Sequence, residues 1–131
     1  MIARYGKTGE EVHGQQPGSV MTVEFTLNGQ NFTALNGGPA FKFSRGLSLQ
    51  VICETQQEID YFWEKLGAGG DESAQMCGWL KDKYGLSWQI VPAVLPKLLS
   101  GNDPGKSANV MQAMLRMKKL EISKLEWAYG G

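Results

Sequence analysis

The stretch Leu47–Leu66, LSLQVICETQQEIDYFWEKL, changes its hydrophobic period partway along, and that change decides the fold. Over LSLQVICE the residues alternate. Leu47, Leu49, Val51 and Cys53 take one face, and Ser48, Gln50 and Ile52 the other, as in a β-strand. Thr55-Gln-Gln-Glu58 then reads as a capping box, whose side chains satisfy the free N–H groups at a helix start. Ile59, Phe62, Trp63 and Leu66 follow at i, i+3, i+4 and i+7, one apolar helix face. Gly67, Gly69 and Gly70 end the helix.

Downstream, Cys77–Pro92 (CGWLKDKYGLSWQIVP) reads as a hairpin with strands near Cys77–Lys81 and Leu86–Val91. In its second strand Leu86, Trp88 and Ile90 point one way, and Ser87, Gln89 and Val91 the other. Upstream, VMTVEFTLNGQNFTALN alternates on both sides of Asn28-Gly29, a strong two-residue hairpin signal. That turn sets Leu27 opposite Gln30, Phe25 opposite Phe32, and Val23 opposite Ala34. A short edge strand is predicted at Ile2–Tyr5, then a loop. Beyond Pro92 and Pro96, Asp103-Pro104 caps a helix carrying Val110, Met111, Met114 and Met117. Ser123 and Glu126 form a second capping box opening a short final turn with Trp127. Strand, helix and a run of antiparallel strands make the fold α+β.

The chain has 131 residues, the length of one domain, with 13 basic and 13 acidic side chains that cancel. No basic run follows a phosphate backbone, which argues against nucleic acid as a partner. No apolar run approaches the roughly 20 residues of a membrane span, and no signal-peptide core is visible. Cys53 and Cys77 lack metal or redox spacing and are expected to be reduced and packed. These features fit a cytoplasmic protein.

The run LNGGPAFKFSRGLSLQVICETQQEIDYFWEKL, with CGWLKDKYGLSWQIVP after it, resembles the PhnB-like proteins. These are labelled 3-demethylubiquinone-9 3-methyltransferase-like and belong to the vicinal oxygen chelate (glyoxalase/bleomycin resistance) superfamily. The resemblance runs from SVMTVEF to LEWAY. It implies paired βαβββ modules whose curved antiparallel sheets form a cup, completed in a homodimer. On that plan residues 1–131 are a single domain: 1–45 a partial first module, 46–96 the second, and 97–131 a helical tail. The first module lacks its initial strand and helix. Its uncovered apolar sheet face, at roughly 25 cal/mol per Å², calls for a second copy of the chain or the methionine-bearing helix.

In metal-dependent members of the superfamily, His, Glu and Gln ligands sit on inward positions of matching strands. Here Gln89 stands at the carboxylate position of the last strand, and Phe32 or a neighbour near another. An amide offers a divalent cation a dipole rather than a charge. The LSLQVICE strand has no histidine, and the single histidine, His13, lies in a Gly/Gln-rich loop. No metal ligand set is therefore assigned and no cofactor is evident, although a divalent metal shared between subunits of a lyase, isomerase or dioxygenase is the rival reading. The methyltransferase label finds no glycine-rich strand-to-helix turn, since Gly67–Gly70 follows a helix.

Six residues, Asn36, Phe43, Ser48, Gln50, Trp79 and Gln89, are candidates for a small-molecule site. Gln50 and Gln89, with Ser48 and Ser87, either orient a ligand on the concave face or sit on a solvated sheet face. Asn36, before Gly37-Gly38-Pro39, is either turn chemistry or a pocket amide. Phe43 rims a site, or packs in a core or interface; Trp79 presents its indole N–H to the cavity, or fills core. Cys77 has no histidine or cation nearby to activate its thiol and reads as packed. Lys81 and Asp82 read as turn residues with solvated charges.

Overall fold

The computed structural model describes residues 1–130, in two compact units divided between Lys42 and Phe43. In the first unit, β1 (Ile2–Arg4) is followed by a one-turn helix α1 (Glu10–His13), then β2 (Val20–Leu27) and β3 (Gln30–Leu35). The order is β1-β2-β3, all antiparallel, with β1 at the edge as predicted. The hairpin register is the predicted one: Leu27 pairs with Gln30, Phe25 with Phe32, and Val23 with Ala34. Asn28 and Gly29 carry φ of 50° and 78°, the twist that a two-residue turn needs. The Phe25 and Phe32 rings stack at 5.7 Å. No residue of Met1–Lys42 is buried. Phe25, Leu27, Leu35 and Ile2 all stay exposed.

The second unit holds the core. Its strands are β4 (Ser48–Cys53), β5 (Trp79–Lys81) and β6 (Ser87–Pro92), with α2 (Gln56–Gly67) between β4 and β5. Three helices follow: α3 (Leu95–Leu99), α4 (Pro104–Leu115) and α5 (Ile122–Gly130). The strand order is β4-β6-β5. The expected antiparallel pairing holds for β5–β6 and throughout the first sheet, whereas β4–β6 is parallel. The turn at Asp82–Gly85 reverses the chain after β5, which aligns β6 with β4 and makes this sheet mixed.

Thr55 caps α2 by accepting the Glu58 N–H at 3.2 Å. The Glu58 carboxylate answers one residue further out, accepting the Glu54 N–H at 3.1 Å. Cys53, Ile59, Leu80 and Ile90 are fully or almost fully buried beneath α2, with Phe62, Trp63 and Leu66 packed on them. Burial pushes the Cys53 thiol pKa up, as expected of a packed cysteine. A second cluster joins Leu95, Leu98, Val110, Leu120 and Leu125. Asp103 caps α4 through the N–H groups of Gly105 and Lys106, as predicted.

Three expectations need correction. α5 is a helix of nine residues, not a short turn, and it starts at Ile122, so Ser123 lies inside it. The Ile122 N–H is taken instead by the Gln56 side chain, from the first turn of α2. β5 begins at Trp79 because Cys77 and Gly78, at φ of 52° and 84°, form a tight turn. Leu47 lies outside β4 and is exposed rather than packed with Leu49 and Val51.

Candidate functional site

Register on the second sheet fixes which side chains share its open face. Leu49 pairs with Trp88, and Leu80 with Trp88, so that row lies under α2 with Ile90 and Val51. The alternate rows point the other way. One is Gln50–Gln89–Trp79 and its neighbour is Ser48–Ser87–Lys81, with Ile52–Val91 beyond. Four of the six predicted site residues, Ser48, Gln50, Trp79 and Gln89, therefore share one face.

The two glutamines are joined. Gln50 Nε2 donates to Gln89 Oε1 at 3.2 Å, and Gln89 Nε2 donates to Ser48 Oγ at 2.9 Å. Each amide uses one N–H in this chain and keeps the other. Gln50 is exposed, while Ser48, Gln89 and Trp79 are half-buried and Ser87 is only 2% exposed. The pairing follows from parallel register, which places the two side chains on adjacent strands at the same height.

Asn36 lies in the first unit, at the end of its hairpin. Its side chain donates to the Val20 carbonyl at 3.0 Å, and its own carbonyl accepts the Tyr5 hydroxyl. Its side-chain amide thus ties the end of β3 to the start of β2. Phe43 precedes β4 and is exposed.

Two residues were passed over in sequence. Asp82 is more than a solvated turn charge. Its Oδ1 accepts the N–H groups of Tyr84 and Leu86 at 2.9 and 3.0 Å, and its Oδ2 accepts the Trp88 indole N–H at 2.9 Å. Lys81 belongs to β5 and pairs with Ser87, on the face of the glutamines. Alternation across Trp79-Leu80-Lys81 carries that signal, but three residues are a short run from which to read it. Asp71 is held below the usual carboxylate range, chiefly by the hydroxyl and N–H of Ser73, with Lys81 and Arg45 adding to the effect.

Two grooves lie elsewhere. One of about 640 Å³ runs along the end of α4 and α5, and one of about 480 Å³ lies on β2 and β3 of the first unit. Among the described residues no three of His, Cys, Asp and Glu gather closely enough to share a metal ion. Among the described residues no helix is long and apolar enough to cross a membrane.

With this geometry in view, the chain was compared with known proteins. The model of the 3-demethylubiquinone-9 3-methyltransferase family matches residues 1–91. The chain belongs to this PhnB-like family. The solved PhnB protein from Bacillus cereus, which bears the same family name, is 37% identical, with 71% of this chain and 77% of that one covered and a TM-score of 0.56. The fold is accordingly α+β of the glyoxalase type. No curated protein matches the chain. The family's name carries a methyltransferase, yet the β4-to-α2 junction here is Glu54-Thr55, without the glycines that let a helix N-terminus approach a nucleotide.

Proposed function

We propose that this PhnB-like protein binds a small molecule on the open face of the second sheet, against Ser48, Gln50, Gln89 and Trp79. The observation that carries the reading is the hydrogen-bonded run from Gln50 through Gln89 to Ser48. Mutually bonded amides are held in one orientation, so their remaining N–H groups are preorganised for a ligand. Trp79 lies beside Gln89 and offers a flat apolar surface with one donor. The greasy side of the same strands is taken by α2 and Val91 on this side packs against the Leu95 cluster, which leaves the Ser48, Gln50 and Gln89 end for binding.

A homodimer belongs to the same proposal. The first unit has no buried residue, and exposed Ile52 and Phe43 add apolar surface in the second. A second copy of the chain would cover such surface. Light scattering at micromolar concentration should give twice the chain mass; a monodisperse monomer overturns this part.

Binding is tested by screening small aromatic amides and acids by calorimetry on wild type and Gln89→Leu. Ligands that bind wild type and lose about tenfold or more in affinity on removal of the amide support the site. Ligands that bind both proteins equally place the site elsewhere and reject the proposal.

A further inference from the structure

We infer that the ligand of this face is a carboxylate, held by Lys81 with the Ser48 hydroxyl and stacked through its ring on Trp79. The inference rests on the binding reading above and adds its charge.

Lys81 is half-buried and stands opposite Ser87, which is 2% exposed. A half-buried lysine lays its stem along the sheet and keeps its ammonium at the water surface, where it can meet a ligand. Among the described residues the ion pairs are Lys119–Asp60 and Lys124–Glu121, and Lys81 belongs to neither. Lys81 attracts the Asp71 carboxylate without an ion pair, and Asp71 Oδ1 accepts the Ser73 hydroxyl at 2.7 Å and the Ser73 N–H at 2.9 Å. Arg45 acts on the same carboxylate as well.

The rows themselves contain no acid. Ser48, Ser87, Gln50, Gln89, Trp79, Ile52 and Val91 are neutral, which leaves Lys81 as the charge of the face. A single ammonium beside hydroxyls and amide N–H groups matches one carboxylate: the ammonium takes the charge, and the neutral donors fill the remaining oxygen lone pairs. A phosphate dianion would ask for more cationic donors than this face holds.

The probes are 2-naphthoate and 2-naphthamide, which differ in charge and share the ring, titrated calorimetrically at low ionic strength. Wild type should bind the acid about tenfold more tightly than the amide, since charge-assisted hydrogen bonds are roughly twice as strong as neutral ones. The gap should narrow as salt is added. Lys81→Gln should make the two affinities equal by weakening the acid alone. Lys81→Arg should keep the preference, and thermal melts of both variants close to wild type show that the fold is intact. Equal affinities in wild type, with both ligands weakened by Gln89→Leu, reject the carboxylate while the binding site stands. A preference that survives Lys81→Gln rejects Lys81 as its source. No binding of either probe, or binding indifferent to Gln89→Leu, removes the site and this inference together.

Discussion

Gln56 and Ile122 are 66 residues apart, and the amide side chain of the first caps the helix that starts at the second. Gln56 Oε1 accepts the Ile122 N–H at 2.8 Å, while Nε2 donates to the Leu120 carbonyl at 3.0 Å and to Asp60 Oδ1 at 3.1 Å. One side chain on α2 thereby satisfies both the Leu120 carbonyl, two residues before α5, and the first N–H of that helix.

Gln56→Ala should therefore destabilise the protein by about 1–2 kcal/mol, because a part-buried N–H and carbonyl lose their partners together. Urea denaturation checks this, with an unchanged slope showing that the loss is of stability and not of compactness. A loss no larger than that of a surface substitution would mean water replaces the amide freely.

Asp60 is the second link between α2 and the chain before α5. Hydrogen bonds from Lys119 and then Gln56 hold its carboxyl below its ordinary value of 3.8. The folded pKa being the lower one, the stabilisation is complete above 3.8 and disappears as pH falls through the folded value. The pair is half-exposed at 2.8 Å, so its worth is about 0.2–1 kcal/mol. Asp60→Asn should be less stable than wild type at pH 7, and the two should converge as pH falls through the lowered folded value. A constant gap across that range would show that the lost stability is not electrostatic.

Asp82 organises the turn between β5 and β6 through three accepted hydrogen bonds. Asp82→Ala should cost about 2–3 kcal/mol, since bonds to a charged acceptor are worth more than neutral ones. The Trp88 indole N–H resonance should move upfield and exchange faster with solvent. An unchanged resonance would mean that the carboxylate does not hold the ring.

Cys77 sits at φ 52° and Gly78 at φ 84°, inside a turn closed by reciprocal Met76 and Trp79 backbone bonds. A left-handed conformation costs an ordinary side chain roughly 1–2 kcal/mol, and asparagine tolerates it better. Cys77→Asn should accordingly raise stability by about 0.5–1 kcal/mol in a thermal melt. Gly78→Ala should lower it by about 2 kcal/mol or more. Its Cβ would meet Leu120 Cδ1 at 3.0 Å and the Ile90 carbonyl at 3.2 Å.

What the sequence made legible was local. The Asn28-Gly29 register needed only alternation and a two-residue turn, and the start of α2 needed only Thr55 and Glu58. The facing of Gln50 and Gln89 followed from the same period of two. The parallel β4–β6 pair was hidden because no local pattern states which distant strand becomes a neighbour. The Gln56 cap was hidden for the same reason: Ser123 offered the local motif, and an amide from another element won. α1 and α3, four and five residues long, are too short for periodicity to show. Lys81 was placed at the end of its strand, but its charge was read as that of a solvated turn, which concealed the face it shares with the glutamines.

The N–H groups of Cys77 and Gly78 donate to the Met117 and Lys118 carbonyls, each at 2.8 Å. That attachment runs through main chain, so it does not depend on the side chains of Cys77, Met117 or Lys118. It also means that the family match ending at residue 91 is not a place to cut. A fragment stopped there would present two orphaned donors and a bared Ile90 to solvent, and would express as an aggregate instead of a smaller version of the protein.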